Sequence, residues 1–266
     1  MSEDQEPQGG EDKKGEDEKL EEGTLISHLL ELRERLIRAM VGVAIAFIPC
    51  IFYANDIFTF ISKPLRAKLP QGSSVVATGI WSPFTTPFKL SLYVALCIAM
   101  PYVLYQAWAF VAPGLYRHEK RFAIPLLGSS ILLFYVGIAF AYFIVLPVMF
   151  QFFIGQTPEG VNNMPDINSY LDFVVTMFFS FGVAFEVPVA VVLLVLMEVI
   201  SLEKLQKNRG YVLLGTLIVS AFLTPPDPIS QASLALPMYL LYEGGLIMAR
   251  VLLRMKRDTE QKTAKA

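Results

Sequence analysis

The sequence is poor in the residues that most often carry chemistry. It has two cysteines, Cys50 and Cys97, both inside apolar segments. Two such thiols give neither a disulfide framework nor a metal-ligand spacing. It has two histidines, His28 and His118. No H-E-x-x-H, G-x-S-x-G or P-loop pattern occurs, so the common zinc-protease, serine-hydrolase and nucleotide-binding signatures are missing. No pair of aspartates lies deep in an apolar segment, because Asp172 and Asp227 fall at segment ends. That argues against an intramembrane aspartyl protease. There is no internal repeat of the kind that marks many secondary transporters. Neither an enzyme nor a cofactor is expected.

Long hydrophobic runs are abundant. Of 266 residues, 54% are hydrophobic and 17% charged. Gathered in blocks, that fraction indicates an all-α polytopic membrane protein. The net charge of −2 hides an asymmetry: residues 1–22 carry ten acids and three bases, and the remainder has an excess of bases. The first 23 residues are Gln/Gly/Glu/Asp/Lys-rich and are expected to be a disordered acidic tail. They resemble neither a secretory signal, which starts basic, nor a transit peptide, which is poor in acids.

Hydrophobic patterning predicts six spans between residues 24 and 253, followed by a polar tail over 254–266. Thr24 is a candidate cap for an amphipathic helix with Leu25, Leu29, Leu32 and Leu36 on one face. The spans are expected at about 36–54, 90–111, 126–146 (between Pro125 and Pro147), 170–200, 211–223 and 232–249. The stretch between the first two is punctuated by Pro64, Pro70, Gly72, Pro83 and Pro87, and should form a structured extracytoplasmic cap with short helices. The fifth span is short: 13 residues at 1.5 Å rise reach roughly 20 Å, against about 30 Å of hydrocarbon.

Lys and Arg cluster before the first span, between the second and third, between the fourth and fifth, and after the sixth. Residues 155–169 and 224–231 contain none. The positive-inside rule therefore predicts that both termini are cytoplasmic. The first loop, with Lys63, Arg66, Lys68 and Lys89, opposes this mildly, and parity with the other loops decides for outside.

Three groups of residues stand out. The run from Pro101 to Arg121 ends a span at Pro113-Gly114 and then packs five ionisable groups together, with Glu119 an acid among bases. Glu31 lies on the same predicted membrane face. Each of these carboxylates alone reads as a solvated or locally paired charge; Glu31 is four residues from Arg35. Together they form a plausible acceptor for adjacent arginines, since guanidinium binds carboxylate through paired, charge-assisted hydrogen bonds. Glu186 is the acid placed deepest in a span, where a bare charge costs about 2.5–3.5 kcal/mol. It either bonds backbone freed by Pro188 or serves a substrate, a partner helix or a proton. Glu243, beside Gly244-Gly245 in the sixth span, reads as structural.

Several motifs are similar to those of a known family, the TatC subunit of the twin-arginine protein translocase. They are His28-Leu-Leu-Glu-Leu-Arg33, Tyr53-Ala-Asn-Asp-Ile57, Ser82-Pro-Phe84, the Pro101–Glu119 run, Phe185-Glu-Val-Pro188 and Leu223-Thr-Pro-Pro-Asp227. The resemblance covers about residues 24–250; the acidic tail lies outside it. It implies a multi-pass protein of the bacterial inner membrane. Such a protein receives the signal peptides of folded passengers, works with TatA- and TatB-type single-span subunits, and draws on the proton-motive force. It implies signal-peptide contacts at Glu31, Glu119, Phe110 and Pro64, and polar intramembrane or partner-docking positions at Glu186, Thr224 and Gln231. Arg33, Pro101 and Asp227 match further family positions. The alternative reading is a proton-coupled transporter of a small solute, with Glu186 and Glu243 as carriers.

Overall fold

The computed structural model describes the backbone of residues 11–66, 76–111, 120–156, 158, 164–224 and 228–265. Side chains are described within 27–63, 76–111, 124–156, 158, 164–224 and 228–255. Over these residues the chain is helical, and the one extended pairing is a parallel bridge between Val76 and Asp166. The helices are α1 (Glu11–Phe52), α2 (Ala54–Arg66), α3 (Ser82–Val111), α4 (Lys120–Phe140), α5 (Leu146–Gly155), α6 (Ile167–Ala184), α7 (Val187–Leu196), α8 (Leu202–Lys207), α9 (Arg209–Leu223) and α10 (Pro228–Lys265). A π-helical turn, Ala141–Val145, joins α4 to α5.

Among the described residues, five stretches are long and apolar enough to cross a membrane: Ser27–Phe52, Ser82–Val111, Ile124–Gly155, Ile167–Leu196 and Pro228–Met255. The remaining expected span, the fifth, corresponds to α9, an apolar helix of 15 residues. Its reach is about 22 Å at 1.5 Å per residue, still short of the hydrocarbon.

Several boundaries differ from the sequence reading. Thr24 does not start a helix, because α1 is already helical from Glu11, inside the stretch expected to be disordered. Residues 11–22 are rich in Glu and Lys, which are good helix formers, and an apolar helix that follows supplies the nucleus. The third span does not stop at Pro147; it continues to Gly155. Pro147 sits just after the π-helical turn, where one backbone bond is already rearranged, so the missing N–H costs little. Pro49, Pro87, Pro101, Pro125 and Pro237 likewise lie inside helices. The fourth span is broken: α6 ends at Ala184, and α7 starts at Val187 with Pro188 in its first turn. Proline at that position starts a new helix readily and ends the preceding one.

Close approach of helices depends on small residues, as expected where lipid supplies no hydrophobic drive between spans. A Cβ on Gly137 of α4 would lie 2.5 Å from the Phe181 carbonyl oxygen of α6. A Cβ on Gly182 of α6 would meet the Phe134 ring of α4 at 2.6 Å. On the other side, Gly245 of α10 sits against the backbone of Pro188. The fourth span is thus the centre of the bundle. Its first half packs with Leu146, Met149 and Phe150, and its second half with Tyr242, Leu246 and Ala249.

Part of the stretch expected to form a cap, residues 67–75, lies outside the described residues. α2 packs back over the bundle, where the Tyr170 hydroxyl donates to the Ile61 carbonyl at 2.7 Å. The first loop is tied to the start of α6. Val76 N–H donates to the Pro165 carbonyl at 3.1 Å, and Ile167 N–H donates to the Val76 carbonyl at 2.9 Å.

Candidate functional site

The expected site residues fall in three places. The first is the corner where α1 lies against the end of α3. The His28 and Phe110 rings are 4.5 Å apart between centroids. Glu31 lies one helical turn further along α1 and binds Arg35, whose Nε and Nη2 donate to Oε1 at 2.9 and 2.6 Å. The local i,i+4 pair anticipated for Glu31 therefore exists. Both bonds land on the same oxygen, and no hydrogen bond reaches Oε2 among the described residues. Glu34 and Arg38 form a second such pair at 2.7 Å. Arg33 is exposed on α1, and Pro101 lies within α3. Pro64 is on α2, its side chain outside the described residues; Glu119, His118 and Asp227 lie outside them altogether.

The second place surrounds Glu186. The break between α6 and α7 puts this residue at the start of α7, part-way along the fourth span. The Ser130 hydroxyl of α4 donates to Glu186 Oε2 in a short hydrogen bond. The other oxygen, Oε1, is buried and has no hydrogen-bond partner among the described residues. Beside it lies a cavity of about 220 Å³ lined by Leu104, Ala107, Trp108 and Val111 of α3, Ser130, Glu186, and Val189, Ala190 and Leu193 of α7. Apart from the two hydrogen-bonded side chains, its wall is almost wholly apolar. A lone acceptor on such a wall favours a group that brings a donor, because leaving it unmet costs about 1–3 kcal/mol. Ser130 was not singled out from sequence. It is 56 positions from Glu186, and a serine in an apolar helix usually bonds its own backbone.

The third place joins α9 to α10. The Thr224 hydroxyl donates to the Ser220 carbonyl at 2.8 Å, and Gln231 Nε2 donates to the Leu217 carbonyl at 3.1 Å. Gln231 therefore ties α10 to α9, while Thr224 closes the end of α9 itself. At the other end, Arg209 Nη2 is 2.9 Å from Glu243 Oε2, and the Tyr239 hydroxyl donates to Oε1 at 3.1 Å. Glu243 is thus held by a cation and a hydroxyl, as its structural reading anticipates.

Asp166 was also missed, although an Asp before Ile-Asn-Ser at the head of an apolar run is an N-cap pattern. Its carboxylate accepts from Asn168 and Ser169 N–H at 3.1 Å and so caps α6. It also accepts from Thr78 Oγ1 at 2.7 Å and from Thr78 N–H at 3.1 Å. The Thr78 hydroxyl first, and then the backbone donors, hold its carboxyl well below the usual carboxylate range. No group of three or more His, Cys, Asp or Glu side chains converges to hold a metal among the described residues.

Comparisons with known proteins agree over most of the chain. The profile of the family described as "Sec-independent protein translocase protein (TatC)" matches residues 27–237. The TatC of Azotobacter chroococcum mcd 1 is 54% identical over 222 residues, covering 84% of this chain and 87% of that protein. The TatC of Escherichia coli K12 is 51% identical over 237 residues, covering 89% and 92%. A crystal structure of the twin-arginine translocase receptor TatC superposes with a TM-score of 0.76 at 35% identity, covering 84% of this chain and 98% of that one. With matches of this extent, and with apolar helices long enough to cross a membrane several times, the chain belongs to the TatC family of Sec-independent protein translocase proteins.

Proposed function

We propose that the protein is the receptor subunit of the twin-arginine translocase, a six-span inner-membrane protein with both termini in the cytoplasm. Adjacent arginines of a signal peptide dock on Glu31 and Glu119, with Phe110 and Pro64 beside them. The apolar part of the peptide lies against the spans near Glu186. Single-span TatA- and TatB-type subunits assemble beside α9 and α10, near Thr224 and Gln231. The short α9 thins the bilayer there, which lowers the barrier to passage. The proton-motive force supplies the energy.

The observation that supports this reading most is the α1–α3 corner. The His28–Phe110 contact brings the Glu31 turn beside the end of α3, the helix that leads into the run carrying Glu119. The unbonded Oε2 of Glu31 suits a second guanidinium alongside Arg35. The transporter reading fares worse, because Glu243 is already engaged by Arg209 and Tyr239.

The test is signal-peptide binding to the purified protein. Glu119→Gln keeps size and removes charge, and should weaken binding by about 1–3 kcal/mol. The Glu31/Glu119 double Gln variant should lose more, and binding should fall with salt, which screens surface charge. Unchanged affinity in the single and double variants would remove both residues as the receptor.

A further inference from the structure

The cavity beside Glu186 combines three features that together specify a small ligand. Its volume of about 220 Å³ exceeds the roughly 150 Å³ that suffices for a benzene-sized guest in an apolar protein cavity. Its wall is apolar and includes the Trp108 side chain and Leu193. Its buried polar atom without a partner is one oxygen of one carboxyl group, Glu186 Oε1, while Ser130 occupies the other oxygen and so fixes the rotation of the group. Ala107 and Ala190 line it as exposed residues, so the cavity has a mouth on the surface of the bundle between α3 and α7.

We infer that this cavity is a binding site for a small neutral ring bearing one hydroxyl, a phenol in chemical class. The ring replaces void by apolar contact against Trp108 and Leu193. The hydroxyl meets Oε1. A hydroxyl both donates and accepts, so it satisfies Oε1 whether or not the carboxyl carries a proton. A hydrocarbon of the same size fills the cavity but leaves Oε1 unmet. A charged ligand would be costly to bury in so apolar a wall. The inference does not rest on the export reading, since it concerns the isolated protein with no passenger or partner present.

The experiment uses the full chain in detergent micelles and follows 4-fluorophenol by fluorine NMR, with fluorobenzene as the partner probe lacking the hydroxyl. Empty micelles give the partition background. The expected result is a saturable component for 4-fluorophenol that excess unlabelled phenol displaces. Fluorobenzene should bind about tenfold more weakly, the scale of one net hydrogen bond. Ala107→Phe, which fills the cavity from its α3 side, should abolish saturable binding. Glu186→Leu should bring the two probes to equal affinity, and Glu186→Gln should keep the preference for the phenol. The Gln variant guards against misfolding in the Leu one, and each variant is first checked for a single monodisperse peak. A signal that fails to saturate would overturn the assignment. So would equal affinity for both probes in the unaltered protein, or undiminished binding in well-folded Ala107→Phe.

Discussion

Gly128 and Gly137 lie on the same helix, α4, and should answer the same substitution in opposite directions. Nothing lies within 4 Å of a Cβ built on Gly128. Alanine there adds no clash and gains helix propensity, about 0.5–1 kcal/mol. At Gly137 the same methyl would stand 2.5 Å from the Phe181 carbonyl oxygen, 3.0 Å from its carbon and 3.0 Å from Phe185 Cγ, where ordinary contact begins near 3.4 Å. Two of those atoms are backbone, so no rotamer change relieves them; α4 and α6 must separate. Overpacking of this kind costs about 1–3 kcal/mol, which outweighs the propensity gain and leaves a net loss of up to about 2 kcal/mol. The separation also bears on the site, because Ser130 sits two turns before Gly137 and reaches across to Glu186 just past Phe185. The assay is thermal unfolding of the purified protein in detergent, followed by loss of the monodisperse chromatographic peak. For a chain of this size about 1 kcal/mol moves the midpoint by roughly 2–4 °C. Gly128→Ala should unfold slightly above the parent and Gly137→Ala clearly below it. If Gly137→Ala is as stable as Gly128→Ala, the helices are not in backbone contact and the packing argument fails.

Three further expectations follow from other parts of the molecule. The Asp166 carboxyl is held below its ordinary value, so its contribution to stability is present above about pH 4, the usual Asp value, and is lost as pH falls through the lower folded value; melting curves of Asp166→Asn should show a shallower acid-side decline than the parent, and parallel curves would refute this. Export of a twin-arginine reporter, normalised to membrane abundance, should fall in Glu186→Ala and largely persist in Glu186→Gln; full export with Ala would end the functional reading of Glu186, and failure of Gln at normal abundance would point to charge or proton chemistry instead. A topology reporter fused after Asn163 should read outside and one after Lys207 inside, and a cytoplasmic reading for a fusion in the 63–89 loop would break the six-span arrangement.

The spans were legible because twenty or so apolar residues in a row leave few alternatives to a membrane helix. Their ends were less so. Proline was read as a stop at 125 and 147, yet both lie within the helical stretch Ile124–Gly155. A π-helical turn and neighbouring helices accommodate what would break a helix in water. Glu186 could be found as an acid in a span, but the hydrogen bond from Ser130 could not, since no local pattern announces a contact across two helices. Glu243 read as structural for its glycine neighbours; the structure adds Arg209, on another helix, as the reason. The capping role of Asp166 is legible from its place before Ile-Asn-Ser, whereas its bonds to Thr78 are not, since 88 positions separate the two.

The interruption at Phe185–Glu186 has a further consequence for cooperativity. Phe181 and Phe185 belong to the apolar cluster with Leu146, Met149 and Phe150, whereas Val189, Val192 and Val195 belong to the cluster with Tyr242 and Leu246. Leu133 packs against both. The fourth span thus passes through two apolar clusters in series, and α4 and α10 run through both, with Leu126 of α4 in the second cluster and Leu234 of α10 in the first. Such clusters can open separately, each with its own free energy. Amide exchange should then resolve two protected blocks, α6 with residues 134–150 and the start of α10, and α7 with the start of α4 and residues 242–249 of α10, rather than one global unfolding event. A peptide or partner helix seated across the turn would bind both clusters at once and fuse them into a single block.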